Sequence, residues 1–122
     1  MEKKHIMIVD DEPDVIETAR IRLEANGFKV SSSVGLEAVP DILKAKPDLI
    51  ILDVMMPGAD GFAIIRQLKR DPFLAKIPVI VFSAKSKEAM LDLFGPEGVS
   101  GYLTKPCLAD EMLNQVKKVL GV

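Results

Sequence analysis

Short apolar runs alternate with longer amphipathic stretches along the chain. That alternation is the signature of βαβ units, which build a parallel sheet covered by helices on both faces. His5–Val9 is nearly continuous in apolar residues, as in a strand buried on both sides. Pro13–Ala25 reads as a helix, with Val15, Ile16, Ala19 and Leu23 on one stripe and Asn26-Gly27 as its stop signal. Phe28–Ser31 alternates apolar and polar positions, as a strand at a sheet edge does.

A second helix is expected over about Leu36–Ala45, starting late or kinked because Pro40 lies within it. Asp48–Asp53 is a buried strand built on Leu49, Ile50, Ile51 and Leu52. Pro57–Gly61 has turn composition, and Phe62–Arg70 is a helix with Ile64, Ile65 and Leu68 inward. Ile77–Ser83 is a further buried strand, and Lys87–Phe94 is a short helix ended by Gly95-Pro96. Gly101–Thr104 is the last strand, and Leu108–Leu120 closes the chain with Met112, Leu113, Val116, Val119 and Leu120 inward.

Five strands and five helices in strict alternation define an α/β class. Right-handed crossovers leave few topologies, and a flavodoxin-like (βα)5 three-layer sandwich of strand order 2-1-3-4-5 suits three apolar strands flanked by two alternating ones. The 122 residues suit one domain, with no linker or repeat dividing them. A single cysteine, Cys107, excludes an internal disulfide and suits a reducing compartment. The longest apolar runs are too short to span a bilayer, and no signal-peptide pattern opens the chain. The expected location is therefore the cytoplasm, with no membrane role. A net charge of −2 argues against direct nucleic-acid binding.

Chemistry gathers where these strands end. Strand 1 runs into Asp10-Asp11, strand 3 into Asp53, strand 4 into Ser83 and strand 5 into Thr104-Lys105-Pro106. In a doubly wound sheet those carboxyl ends face one crevice. Two carboxylates about 4 Å apart repel by about 4 kcal/mol at an effective dielectric of 20. A hard divalent cation with oxygen ligands relieves that repulsion, and Lys105 can hold an incoming anion. Such a site is equipped to move a phosphoryl group onto a carboxylate nucleophile, Asp53.

Four segments together resemble the response-regulator receiver family of two-component signalling. They are Ile8-Val9-Asp10-Asp11-Glu12-Pro13, Asp48 through Gly58, Pro78 through Ala84, and Gly101-Tyr102-Leu103-Thr104-Lys105-Pro106. The resemblance implies that Asp53 accepts the phosphoryl group, and that Asp10, Asp11, Asp53 and the Met55 carbonyl hold Mg²⁺, with Mn²⁺ as a substitute. It implies that Lys105 pairs with the phosphate and joins Pro106 through a cis peptide bond. Ser83 would be the hydroxyl that moves to the phosphoryl group, Ala84 the small neighbour that leaves access, and Tyr102 the aromatic that follows. Met55 and Lys85 occupy positions the family varies, so they are expected to tune the lifetime of the phosphorylated state. Implied partners are a histidine kinase or histidine phosphotransfer protein, and an effector bound through the helix 4–strand 5–helix 5 face. Dimerisation on phosphorylation is left open.

The Gly95-Pro96 step departs from the family pattern and predicts a shortened fourth helix followed by a loop at Pro96–Ser100. His5 is read as a strand-edge residue and Cys107 as packing. The competing function is a small aspartyl-nucleophile phosphatase of related architecture. That pattern would want a second aspartate two residues after the nucleophile, where this chain has Met55. The lack of a P-loop and of a Gly-rich first turn argues further against a nucleotide enzyme.

Overall fold

A computed structural model describes residues 3–56 and 60–122. The elements are β1 (His5–Val9), α1 (Pro13–Ala25), β2 (Lys29–Ser33), α2 (Ala38–Ala45), β3 (Leu49–Leu52), α3 (Gly61–Arg70), β4 (Val79–Ser83), α4 (Lys87–Phe94), β5 (Gly101–Thr104) and α5 (Ala109–Leu120). All strands pair in parallel in the expected order β2-β1-β3-β4-β5, one of the few that right-handed crossovers leave. No helix among the described residues is long and apolar enough to cross a membrane.

Strand alternation divides the core in two. Met7, Val9, Ile50, Leu52, Val79 and Val81 point to the face covered by α2, α3 and α4. Ile6, Ile8, Leu49, Ile51, Ile80 and Phe82 point to the face covered by α1 and α5. The stripes read from sequence are the buried ones: Ala19 and Leu23 on α1, Ile64, Ile65 and Leu68 on α3, Met112 and Val116 on α5. Cys107 packs against the second of these cores, and His5 lies half-buried at the sheet's end against the Ser31 hydroxyl.

Helix α2 begins late, as Pro40 demands. A 3₁₀ turn over Gly35–Glu37 precedes it, leaving Pro40 in the first turn, where an amide hydrogen is not needed. Strand β2 lies further along than its apolar residues suggest. Phe28 donates its amide to Leu23 at the end of α1, while the polar Ser31–Ser33 segment pairs with β1 through its backbone ladder. At the other end of the sheet, Ile77 closes a 3₁₀ turn over Leu74–Lys76, so β4 starts at Val79 rather than Ile77.

The expected break at Gly95-Pro96 needs correction. Helix α4 does end at Phe94, but Gly95 keeps helical angles (φ −51°, ψ −49°) and Gly95–Glu97 continues as a 3₁₀ turn. Proline's fixed φ suits that turn's start, and the chain leaves helical geometry at Gly98, whose φ is +73°. Phe62 and Phe94 stack with ring centroids 4.4 Å apart, and Arg66 Nε donates to Glu97 at 3.0 Å, tying the turn to α3.

The predicted Pro57–Gly61 turn falls partly on residues 57–59, outside the described residues. Asp60 caps α3 by accepting the Phe62 amide at 2.9 Å. A Cβ on Gly61 would lie 2.6 Å from the Val54 Cβ, so a glycine is what lets the segment after β3 pass against the start of α3.

Candidate functional site

The sheet's own hydrogen bonding delivers the site residues. Asp10, one step beyond β1, still donates its amide to Ser33 of β2 at 3.1 Å. Asp53, one step beyond β3, donates to Val9 of β1 at 2.8 Å. Lys105, one step beyond β5, donates to Ser83 of β4 at 2.7 Å. Each of these side chains therefore projects from backbone that remains part of the ladder. Asp10 and Asp53 flank the boundary between β1 and β3, where the chain's winding reverses.

Asp10 and Asp53 are buried residues, at 0 % and 3 % exposure overall. Each carboxylate uses its Oδ1 to accept a nearby amide, Glu12 for Asp10 and Met55 for Asp53, both at 2.9 Å. Their Oδ2 atoms face the Lys105 ammonium, at 2.9 Å for Asp10 and 3.3 Å for Asp53. Lys105 directs hydrogen bonds to Asp53 and, at 3.1 Å, to Glu12, and its Nζ lies 5.2 Å from the centre of the Phe82 ring. Asp10 Oδ2 is within ion-pair distance of Nζ yet receives no hydrogen bond among the described residues.

Burial pushes the Asp53 carboxyl above the usual range, and the Asp10 charge adds to that. The Met55 amide and Lys105 oppose it without cancelling it. For Lys105, burial alone would lower the pKa. The neighbouring carboxylates of Asp10, Glu12 and Asp53 outweigh burial and hold the ammonium above its ordinary value.

Asp10, Asp11, Glu12 and Asp53 each offer an oxygen within 4.8 Å of the others. Donors of this kind suit a hard divalent cation. The buried Asp10 Oδ2, without a hydrogen bond, is the atom most in need of one. The residues present thus fit such an ion.

Other residues singled out from sequence surround this centre. Ser83 is fully buried and its Oγ accepts the Lys85 amide at 3.2 Å. Ala84 is exposed beside it, and Met55 is 59 % exposed at the pocket's rim. The Lys105–Pro106 bond is cis, as expected. Tyr102 is half-buried, one residue before Leu103, and packs on the α4 side of the sheet with its hydroxyl near Gly95. Burial raises its phenol pKa. Between α1 and α5, next to Lys105, a cleft of about 510 Å³ opens over Val15, Thr18, Pro106 and Met112.

Sequence reasoning did not single out Glu12 or Phe82. Glu12 could have been found as the third acid of the Asp10-Asp11-Glu12 run. Phe82 neighbours Ser83 and is the last large apolar residue of its strand, but nothing in its type signals a lysine above it.

A doubly wound parallel sheet carrying an acid cluster and a partly buried lysine at its switch point defines a class of small α/β domains built around an anion- and cation-binding crevice. Comparison with known proteins narrows that class. The response regulator receiver domain family matches residues 6–117. The chain is 36% identical over 116 residues to the DNA-binding dual master transcriptional regulator RpaA of Synechocystis sp., covering 94% of this chain and 48% of that protein. It is 34% identical over 117 residues to protein PilH of Pseudomonas aeruginosa, covering 95% and 97%. A crystal structure of a putative response regulator from Chloroflexus aurantiacus superimposes with a TM-score of 0.92 at 28% identity, covering 99% and 100%. The chain belongs to the response regulator receiver domain family of two-component signalling. It spans about half the length of the transcriptional regulators it matches and nearly all of PilH.

Proposed function

We propose that this chain is a cytoplasmic phosphorylation switch that accepts a phosphoryl group on Asp53. The donor is a histidine kinase or a histidine phosphotransfer protein. The observation that carries the reading is the convergence of a buried carboxylate, a partly buried ammonium 3.3 Å away and a cluster of four acids that can hold a cation.

Asp10, Asp11, Asp53 and the Met55 carbonyl would hold Mg²⁺, which when bound supplies positive charge to the phosphoryl oxygens. In the transfer, an Asp53 carboxylate oxygen bonds to phosphorus. The bond from phosphorus to the donor's imidazole nitrogen breaks, and its electron pair stays on that nitrogen. The Met55 amide orients Asp53 by holding Oδ1. Lys105 keeps its proton and receives the anionic oxygens, consistent with its raised pKa. Ser83 Oγ, fully buried beside the pocket, would leave its Lys85 contact to bond a phosphoryl oxygen, with Ala84 too small to obstruct the approach. Tyr102 would follow that movement and alter the α4–β5–α5 surface read by an effector. A donor's histidine would reach Asp53 past the cleft between α1 and α5.

The test is incubation with acetyl phosphate and Mg²⁺, followed by intact mass for wild type and Asp53→Asn. The expected result is one Mg²⁺-dependent, base-labile adduct that Asp53→Asn lacks. Turnover of many phosphate esters without an accumulating adduct would overturn the switch in favour of a phosphatase.

A further inference from the structure

We propose that Glu12 is the exchangeable counter-ion of Lys105: it occupies the ammonium in the resting protein and is displaced when a phosphoryl group arrives. The inference rests on the reading of Asp53 as acceptor and adds a positioning residue to it. Lys105 Nζ has three carboxylates around it, at 2.9 Å for Asp10, 3.1 Å for Glu12 and 3.3 Å for Asp53. The Phe82 ring lies a further 2 Å or so out, at 5.2 Å, and the lysine side chain is only 13% exposed. The ammonium hydrogen-bonds Glu12 and Asp53, ion-pairs with Asp10 and is largely shielded from water, so an incoming anion competes with these carboxylates for it.

The three partners differ in freedom to leave. Asp10 is fully buried, its Oδ1 held by the Glu12 amide and its backbone by Ser33. Asp53 carries the phosphoryl group itself and is held by the Met55 amide. Glu12 has a side chain that is 58% exposed, and its carboxylate makes no hydrogen bond other than that to Lys105 among the described residues. It can rotate into water at little cost, because an exposed ion pair contributes little. Its backbone need not move, since Glu12 caps α1 through its carbonyl, which accepts the Ile16 amide.

Glu12 therefore has two effects on an anionic donor. It competes for Lys105, and it places a like charge at the mouth of the pocket. Neutralising it should admit a small phosphodonor more readily. A charge about 5 Å from the incoming group, in largely aqueous surroundings, corresponds to about a three- to ten-fold change in rate.

The experiment measures the rate of phosphorylation by acetyl phosphate at saturating Mg²⁺, across donor concentration and ionic strength, together with Mg²⁺ affinity by calorimetry. Glu12→Gln should phosphorylate about three- to ten-fold faster than wild type at low donor concentration. The advantage should shrink towards unity at 1 M salt, where the screening length falls to about 3 Å. Mg²⁺ affinity should fall by no more than about ten- to twenty-fold, through charge alone, and should recover at 1 M salt, since Glu12 lies beside the acid cluster but faces Lys105. Glu12→Asp, which keeps the charge on a shorter stem, should keep the slow, salt-sensitive approach of the wild type in larger part than Glu12→Gln. A salt-independent rate change would indicate a structural role and overturn the proposal. A fall in Mg²⁺ affinity that persists at 1 M salt would make Glu12 a metal ligand and overturn it too. An unchanged rate in Glu12→Gln, with wild type labelled on Asp53, would overturn the Glu12 role alone. Failure of wild type to label at Asp53 would overturn the acceptor reading and this inference with it.

Discussion

Replacing Lys105 with Met keeps most of the side-chain stem and deletes the ammonium. Two buried carboxylates then lose their counter-charge, Asp10 at 2.9 Å and Asp53 at 3.3 Å, with side chains 1% and 4% exposed. Neither can regain hydration by turning outward. Removing one partner of a buried ion pair costs about 3–5 kcal/mol. Glu12 adds about 0–1 kcal/mol, because its side chain is 58% exposed and water replaces the contact. Proton uptake trims the total, since burial already pushes the Asp53 carboxyl upward and the variant would push it further. The net loss expected at neutral pH without divalent cations is about 2–4 kcal/mol, or a melting temperature roughly 8–16 °C below wild type. The assay is thermal unfolding followed by circular dichroism, in EDTA and in Mg²⁺, at several pH values. The deficit should shrink as pH falls, because a proton neutralises what Lys105 no longer balances. It should also shrink in Mg²⁺, because a cation on the same oxygens supplies the missing charge. A variant melting within about 2 °C of wild type in EDTA, and indifferent to Mg²⁺, would refute the reasoning.

Other perturbations test neighbouring parts of the account. Asp53 has a folded pKa above its ordinary 3.8, so the native state binds that proton more tightly and wild-type stability falls as pH rises through the folded value. Asp53→Asn lacks this loss, and its stability advantage in EDTA should widen from acid to neutral pH; a pH-independent gap in the melts contradicts it. Lys105 works at the other end, its contribution complete below 10.5 and lost as pH climbs through its raised folded pKa, so wild type should lose stability there while Lys105→Met does not. Met55→Asn, at an exposed position two residues after Asp53, should admit water and speed loss of the phosphoryl group about ten-fold, some 1.4 kcal/mol of barrier; unchanged decay of the isolated phosphoprotein would remove Met55 from lifetime control. Gly61→Ala should cost about 1–3 kcal/mol in chemical denaturation, because its Cβ would press on Val54; wild-type stability would mean that the loop yields freely.

Much of this was readable from residue type because parallel strands buried on both faces must be apolar throughout. That made β1 and β3 recognisable and put Asp10 and Asp53 at their ends, with Lys105 and Ser83 found by the same reasoning. Strand β2 was misplaced because Ser31–Ser33 pairs through backbone groups that no side chain reports. Pro96 misled for a related reason: its fixed φ suits the 3₁₀ turn as well as it suits a loop. Within the site, the hold of the Met55 amide on Asp53 is invisible in sequence because any residue but proline could provide it. The approach of Glu12 to Lys105 depends on how the chain turns after Asp10, where Asp10 Oδ1 accepts the Glu12 amide, and that turn is a three-dimensional fact.

The central claim is that Asp53 carries the phosphoryl group. Borohydride reduction of the protein after treatment with acetyl phosphate and Mg²⁺ tests it most directly, because an aspartyl phosphate is reduced to homoserine while a phosphoserine or phosphohistidine is not. Peptide sequencing by mass spectrometry should find homoserine at position 53, dependent on Mg²⁺ and absent from the untreated protein. Homoserine at Asp10 or Asp11 instead, or a phosphate that resists reduction on a serine or on His5, would contradict the account.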